Sequence, residues 1–378
     1  MVWCKYLEIK YKLLIVISVI LVIVIIGILF IKMGIPLQLF QQNTTTSTTL
    51  STTVSTITKT NLAKLPDNTF FVIYLYNKPN LTIYNEVSNV FSKAIAVNSS
   101  NAINVTFNVN LVRYSDLPIQ LKQYLSNYTV YPVIGIVSSK LDKDKAKIIP
   151  LIFDEINGTF IVKKDLLSYL YYYWGFTSIG EKIVIETNVM PSHDITYTPI
   201  YGLPNARYYL FIYEDIYCPY CAKFYVETIP EISNLIANGT IAIIPKNLIV
   251  HSGVEPIHRY LIAVYLESRN ASAVFKVIEI LYKQVYDYSF KDQSIGLPDM
   301  EQVRNIVKEI VGVDPNVEQY NDTISKILLE DSSEAVENYW IYGTPGFVLW
   351  DREKGYGIIF VGFRSSSDII SIINSINK

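Results

Sequence analysis

Two of the chain's three cysteines, Cys218 and Cys221, are three positions apart, where a strand pattern gives way to a helix pattern. The run Tyr208–Tyr213 before them is aromatic and apolar throughout, which is typical of a buried strand. From Ala222 onward, apolar residues recur at helical spacing. The pair therefore marks a strand-to-helix joint of the kind from which α/β folds are built.

This position gives Cys218 a physical reason to be reactive. Unpaired N–H groups and the positive end of the dipole at a helix start favour a thiolate over a thiol, and Lys223 adds a cation nearby. Pro219 suits the first helical turn, because it has no N–H to leave unpaired there. Cys221 lies one turn further in. The pattern therefore predicts an exposed, low-pKa nucleophile at Cys218 and a more buried, resolving thiol at Cys221.

Two other uses of the pair stay open on chemical grounds. A structural zinc site needs four ligands, and the chain adds only His193, His251 and His258, with no second Cys-X-X-Cys. A purely structural disulfide is compatible with this spacing, but it would not account for the strand-to-helix placement.

The stretch YGLPNARYYLFIYEDIYCPYCAKFYVETIPEI, residues 201–232, resembles the opening of a DsbA-type thioredoxin-like domain. Far downstream, the run GTPGFVLW at 343–350 resembles the family's loop of threonine followed by cis-proline, which faces the redox pair. The resemblance implies an α/β, thioredoxin-like fold over 201–378 with a helical insertion at about 255–338. It also implies, without any cofactor or metal, these catalytic residues: Cys218, Cys221, Thr344 and Pro345.

The sequence departs from the family at one acidic position. Six residues before the first cysteine, where the family usually has a buried acid, stands Ile212. Glu214 and Asp215 are acidic but closer to the cysteines, and we take both as candidate proton-transfer residues.

The preceding segment, 66–178, has no cysteine but a similar order of predicted elements. The predicted elements are strands at 70–76, 105–112, 132–137 and 148–154 and helices at 82–96, 117–125 and 165–172. We predict a second, cysteine-free thioredoxin-like domain, joined by a linker at 179–200 and resembling protein disulfide oxidoreductases with two such units. Another α/β domain with the same element order is the alternative.

In this second domain, Asn77–Asn80 would stand where the other has its cysteines, and Tyr131-Pro132 where it has Thr344-Pro345. Without a thiolate the domain cannot form a mixed disulfide. It would act as a spacer, a substrate platform or a packing partner. We expect its deletion to leave the dithiol chemistry intact and to weaken activity on protein substrates.

The N-terminal part carries a run of 19 uncharged residues, 13–31, which is long enough to cross a membrane as a helix. A cleaved signal peptide is the rival interpretation, but its apolar stretch is normally shorter. Three lysines precede the run and one follows it closely, so residues 1–12 are predicted to be a cytoplasmic tail. Cys4 lies in that tail, where we expect a free thiol. Everything after the span would be extracytoplasmic.

Two features agree with that topology. Between Thr44 and Thr60, 13 of 17 residues are Ser or Thr, which predicts a flexible stalk over 32–65. Glycosylation sequons recur on the proposed outer side, at Asn43, Asn80, Asn98, Asn104, Asn127, Asn157, Asn238, Asn270 and Asn321. We therefore expect a glycoprotein.

Together these patterns predict a single-pass protein of the cell membrane that acts as a thiol–disulfide oxidoreductase, either an oxidase or an isomerase. Its partners would be secreted or surface proteins with cysteines and a membrane redox protein that re-oxidises the pair. A net charge of -2 gives no basis for nucleic-acid binding. The alternative function is a surface adhesion or binding protein that uses thioredoxin folds as a scaffold, with a structural disulfide.

Overall fold

The computed structural model of the chain describes the following residues: 65–78, 85, 88, 107–139, 141, 149–173 and 185–377. The predicted cytoplasmic tail, the membrane anchor and nearly all of the stalk lie outside them, as does most of the predicted helix at 82–96. Among the described residues, no helix combines the length and the apolar character that crossing a membrane requires.

The described strands, numbered in chain order, are β1 (Thr69–Tyr74), β2 (Asn108–Arg113), β3 (Val130–Tyr131), β4 (Val133–Val137), β5 (Phe153–Ile156), β6 (Thr159–Val162), β7 (Ile185–Thr187), β8 (Tyr208–Glu214), β9 (Ile241–Asn247), β10 (Gly346–Asp351) and β11 (Tyr356–Val361). The described α-helices are α1 (Ile119–Tyr124), α2 (Ile149–Ile152), α3 (Lys164–Tyr173), α4 (Pro219–Lys223), α5 (Ser233–Ala237), α6 (Glu255–Ser268), α7 (Ala271–Phe290), α8 (Met300–Ile310), α9 (Asn321–Tyr339) and α10 (Ser366–Asn377).

The first sheet has five strands in the order β2-β1-β4-β6-β5. β1 and β2 are parallel neighbours, with Thr69 opposite Asn108, as the sequence predicts for the strands near Phe70 and Val105. β4 is antiparallel to β1, and β6 is antiparallel to β4. β5 and β6 form a hairpin through Asn157 and Gly158, which both have positive φ, as a tight two-residue turn requires.

The second sheet has six strands in the order β3-β7-β11-β10-β8-β9. Four adjacent strands at one end of this sheet, β11, β10, β8 and β9, form the thioredoxin-like part: β8 and β9 are parallel, and β10 and β11 are antiparallel to their neighbours. Between β9 and β10 the chain forms α6, α7, α8 and α9. This is the mixed α/β, thioredoxin-like arrangement that the resemblance implies, with helices inserted before the third core strand.

The remaining two strands of the second sheet come from earlier in the chain. β7 is antiparallel to β11, and β3, from the cysteine-free half, is antiparallel to β7. The sheet that positions the cysteines is therefore completed by a strand of the other half.

The two faces of β8 contribute to two different cores, because successive side chains of a strand point to opposite faces. Tyr208, Leu210 and Ile212 pack in one buried cluster with Cys218, Cys221 and apolar residues of α6, α7, α8 and α10. Tyr209, Phe211 and Tyr213 belong to a second buried cluster, which we call the shared core. Besides them, the shared core contains residues of the first sheet, among them Phe71, Val72, Val133, Ile134, Ile136 and Ile161. The cysteine-free half thus covers one face of the cysteine-bearing sheet.

Two predicted elements differ in detail. The helix after Cys221 is not continuous: α4 passes into a π-helical turn at Phe224–Thr228, and regular helix resumes only at α5. Pro230 lies in the break, and its missing N–H cannot donate to the preceding turn. The strand predicted at 148–154 begins instead as the short helix α2 and becomes β5 only at Phe153.

Candidate active site

Cys218 caps the start of α4. Its backbone is extended while Pro219 occupies the first helical turn, and its Sγ accepts a hydrogen bond from the Cys221 N–H over 3.3 Å. The sequence favours this geometry, because proline needs no acceptor at that position and the cap group receives the free N–H of the turn.

The hydrogen bond between the two thiol groups is the largest influence on the pKa of Cys218 and lowers it. Together with contacts to Thr344 and the Tyr220 N–H, it outweighs burial and lowers the pKa of Cys218 to about 6. The side chain is only 3% exposed, so the expectation of an exposed nucleophile is wrong. The expected help from Lys223 does not appear either, since its Nζ lies 4.6 Å from the Phe363 ring centre and 3.9 Å from Glu227 Oε2.

Cys221 has the opposite electrostatic environment. It is fully buried, and both cysteines are present as free thiols. Burial, followed by its hydrogen bond to Cys218, raises the pKa of Cys221 well above the usual range. One turn of helix therefore separates a readily ionised thiol from a protonated one.

The loop before β10 lies directly against the nucleophile. The Cys218 thiol donates to the Thr344 carbonyl over 3.4 Å, and the Thr344–Pro345 peptide bond is cis, as predicted. The next residue is Gly346, and this position favours glycine because a Cβ there would collide with the Ile341 side chain. Thr344 Oγ1 is buried and has no hydrogen-bond partner among the described residues.

The C-terminal half is similar to known proteins in sequence pattern and in fold. Residues 195–355 match the family model described as thioredoxin. No curated protein matches the chain. Similar solved structures include the catalytic domain of ScsC from Proteus mirabilis, with 17% identity over 49% of this chain and 92% of that chain (TM-score 0.37). They also include oxidised BdbD from Bacillus subtilis, with 18% identity over 50% and 98% (TM-score 0.39), and alpha-DsbA1 from Wolbachia pipientis, with 14% identity over 50% and 93% (TM-score 0.39).

The C-terminal half has a thioredoxin-like fold, and most of it matches the thioredoxin family model. In this thioredoxin domain, the family's usual acidic position is taken by Ile212, which is fully buried in the core. Glu214, at the end of β8, is buried and close enough to the thiols to influence the pKa of Cys221.

Glu214 lies between the dithiol and two tyrosines. Burial raises the pKa of its carboxyl to about 8, and Cys218 and the hydroxyls of Tyr225 and Tyr282 are close enough to influence it. Glu214 in turn raises the pKa of Cys221. Glu214 Oε2 and both tyrosine hydroxyls are buried without a hydrogen-bond partner at ordinary distance in the described part of the chain. A group in this position can hold or release a proton close to Cys221.

Asp215, the other candidate proton-transfer residue, connects two loops. Its carboxylate accepts hydrogen bonds from the backbone N–H groups of Tyr217, Val250 and His251 at 2.8, 2.8 and 2.9 Å. These bonds tie the cysteine-bearing loop of the thioredoxin domain to the loop after β9. Because its oxygens accept hydrogen bonds from amides of both loops, Asp215 positions the cysteine-bearing loop, and its Oδ1 also lies 3.2 Å from Nδ1 of His251.

A buried charge cluster beside Glu214 is not apparent in the sequence. Lys246 Nζ, at the end of β9, lies 2.5 Å from Asp331 and 3.2 Å from Glu334, both on α9. Burial alone would lower the pKa of Lys246, but the two carboxylates outweigh it and raise it. A cavity of about 50 Å³ joins this cluster to Glu214 and His258. Its partners are far apart in sequence, so no local spacing could reveal them.

Proposed function

We propose that the chain is a membrane-anchored, extracytoplasmic thiol–disulfide oxidoreductase that works through Cys218 and Cys221. The observation that carries the proposal is the split between the two pKa values: about 6 for Cys218 and well above 9 for Cys221, within one helical turn. A purely structural disulfide does not require its two thiols to have different pKa values. Thiol exchange, in contrast, requires a thiolate that attacks and leaves easily.

The reaction exchanges two electrons between two pairs of sulfurs. In the oxidising direction, a substrate thiolate attacks Cys218 Sγ of the disulfide, a mixed disulfide forms, and Cys221 leaves as a thiolate that takes up one proton. A second substrate thiolate then attacks the substrate sulfur of the mixed disulfide and releases Cys218 as a thiolate. The substrate gains a disulfide, and the pair is left reduced. The reverse sequence reduces a substrate, and the Thr344 loop would hold the substrate strand beside Cys218.

Glu214 is the proton donor in this proposal. The departing Cys221 thiolate is a strong base in its buried site, and a carboxyl with a pKa of about 8 is mostly protonated at pH 7. The cavity beside Glu214 is large enough for ordered water and would return the proton from outside.

The proposal is tested by alkylation of the reduced chain over a range of pH. Modification of Cys218 should rise with a midpoint near pH 6, while Cys221 stays unmodified through neutral pH. Peptide mapping by mass spectrometry assigns the label. Preferential labelling of Cys221 at acidic pH would show that the roles are reversed.

Replacing Glu214 with glutamine should slow reduction of the Cys218–Cys221 disulfide by a substrate thiol about 100-fold at pH 7, the lower end for general acid catalysis. The wild-type advantage should shrink as the pH rises through about 8, because Glu214 loses its proton there. Rapid quenching with acid and mass spectrometry measures the rates. Glu301→Gln, an exposed position on α8, is the matched control. A pH-independent ratio between wild type and Glu214→Gln would contradict the donor role.

The remaining parts of the proposal concern location and partners. The charge-free run at 13–31 would anchor the chain, with the folded residues and glycosylated sequons outside. Its substrates would be secreted or surface proteins with cysteines, and a membrane redox protein would re-oxidise the pair. Release of the full-length chain from membranes by alkaline carbonate would contradict the anchor.

We also propose that the cysteine-free half is a second thioredoxin-like unit. Its support is the parallel pair β1 and β2, the antiparallel β4 and β6, and a second cis-proline at Tyr131-Pro132, directly before β4. β5 is an additional edge strand of this sheet. The alternative function, a binding protein with a structural disulfide, is disfavoured by the separated thiol pKa values.

A further inference from the structure

The catalytic cleft of the thioredoxin domain has two walls. One is the residue before Pro345, whose carbonyl lies 3.4 Å from Cys218 Sγ, and the other is the loop between β8 and α4. A substrate strand would lie between these walls. The question is what lies in the corresponding place of the cysteine-free half.

The strand register fixes which residues correspond. Ile73 on β1 pairs with Val133, the residue after Pro132, as Tyr213 on β8 pairs with Gly346, the residue after Pro345. Lys78 lies five residues after Ile73, just as Cys218 lies five residues after Tyr213. Lys78, rather than Asn77, therefore takes the place of the nucleophile.

One wall of the corresponding cleft already has a strand against it. β3, the two residues directly before Pro132, pairs antiparallel with β7: Val130 is opposite Thr187, and Tyr131 is opposite Glu186. β7 thus lies where a substrate strand would pair with the loop before the proline.

The other wall, the loop after β1, is bound by the side chain of Glu186. The Glu186 carboxylate accepts hydrogen bonds from the backbone N–H groups of Leu75, Tyr76 and Asn77, with shortest distances of 2.9, 3.2 and 2.8 Å. Glu186 is fully buried. Charge-assisted bonds of this kind are among the stronger ones in proteins. A single residue therefore contacts both walls of the cleft.

The thioredoxin domain satisfies the matching amides from within. By the same register, Tyr76 and Asn77 correspond to Ile216 and Tyr217, whose N–H groups donate to His258 and to Asp215. In the cysteine-free half, the acceptor comes instead from β7.

Further contacts attach this loop to the cysteine-bearing sheet. The ring of Tyr76 stacks on that of Tyr356, at the start of β11, with centres 3.9 Å apart. Arg113, at the end of β2, donates to the Leu75 carbonyl over 3.3 Å and lies over the Tyr76 ring. Burial is the largest influence on the Glu186 carboxyl and raises its pKa to about 7. The charge of Arg113 acts in the opposite direction.

From these contacts we infer that β7 fills the substrate cleft of the cysteine-free half from within the chain, with Glu186 as the latch that fixes this half to the edge of the cysteine-bearing sheet. Of the three roles considered in the sequence, this assigns the packing partner and excludes the substrate platform at this cleft. The latch rests on the proposed thioredoxin-like nature of the first sheet, but not on the direction of the dithiol reaction.

The test is hydrogen exchange of the full-length chain, followed by mass spectrometry. In Glu186→Ala, the amides of residues 75–77 should exchange roughly 10-fold faster or more, because they lose a charged acceptor, while those of 208–214 keep the wild-type rate. Glu186→Gln, which keeps the shape and one acceptor oxygen, should fall between the two. Glu337→Ala, on the exposed side of α9, should match the wild type. Unchanged exchange at 75–77, or an equal rise at 208–214, would overturn the latch.

Closure of the cleft is tested with a model polypeptide held on Cys218 as a mixed disulfide in the Cys221→Ala chain. New protection should appear around Thr344 and not at 75–77 or 130–131. Protection at 130–131 would show that the cleft admits a substrate and would overturn its closure. Because the Glu186→Ala comparison needs no bound substrate, failure of trapping would count against the proposed function alone.

Discussion

Replacing Cys218 with alanine should abolish the exchange of disulfides with protein substrates, lowering turnover by a factor of about 10³ or more, as loss of a catalytic nucleophile does elsewhere. The physical reason is that no other thiol can take over. Cys221 has a pKa well above 9 and no exposed surface, so almost none of it is thiolate at neutral pH. Oxidation of a reduced, unfolded protein and reduction of a disulfide-bonded one, both at pH 7, measure the loss.

Replacing Cys221 with alanine should give a different defect of similar size. Cys218 keeps its place at the helix start, so mixed disulfides still form, but nothing resolves them. They should accumulate as covalent complexes that a reducing agent dissolves on a gel. Cys4→Ala is the matched control, because it removes a thiol from the predicted tail. Equal accumulation in Cys218→Ala and Cys221→Ala would contradict the assigned roles.

Removing residues 66–178 should leave a chain that does not fold stably. The sequence alone suggested that the dithiol would survive this deletion, but the shared core changes that expectation. Tyr209, Phe211 and Tyr213 would lose their cover of apolar side chains from the first sheet. Exposing one large apolar side chain lowers the free energy of unfolding by about 1.5–3 kcal/mol. Several such losses together amount to a large part of the roughly 5–15 kcal/mol by which an ordinary domain is stable.

Solubility and thermal unfolding followed by circular dichroism measure this effect. The matched control is a chain of residues 65–378, which keeps every described residue and should unfold cooperatively. A soluble 179–378 chain, with a cooperative transition and a Cys218 pKa near 6, would show that the shared core is dispensable.

The parts of the site that the sequence predicts are those set by local chain geometry. A strand that ends at Glu214 and a helix that begins with Pro219 place Cys218 at a cap, whatever the rest of the fold does. The Thr344-Pro345 loop is similarly local, and its cis bond was predicted from the resemblance. In the cysteine-free half, apolar runs predicted the strands near Phe70, Val105 and Pro132, but β6 was not predicted, and β7 lies in the segment predicted to be a linker.

What the sequence could not predict depends on contacts between distant residues. Cys218 is buried in a cluster of residues from distant parts of the chain, and its thiol meets the Thr344 carbonyl, 126 positions downstream. Glu186 reaches its amides across 109 to 111 positions and looks, in sequence, like any acidic residue of a linker. Glu214 and Asp215 are adjacent in sequence but differ in their contacts: the Asp215 carboxylate accepts hydrogen bonds from amides of the loop after β9, whereas Glu214 Oε2 has no such partner among the described residues. Residue type and spacing carry no such information.

The spacing between Cys218 and Thr344 also bears on how the chain is made. The dithiol leaves the ribosome 126 residues ahead of the loop that shields it, and the final hairpin and α10 follow later still. β7 must likewise wait for β11, its partner 170 to 174 positions along the chain, before the second sheet can close. Pairings over such distances form slowly. During synthesis, therefore, the two sulfurs stay uncovered, and Cys218 lacks the Thr344 contact that helps to lower its pKa, until about the last thirty residues of the chain are made.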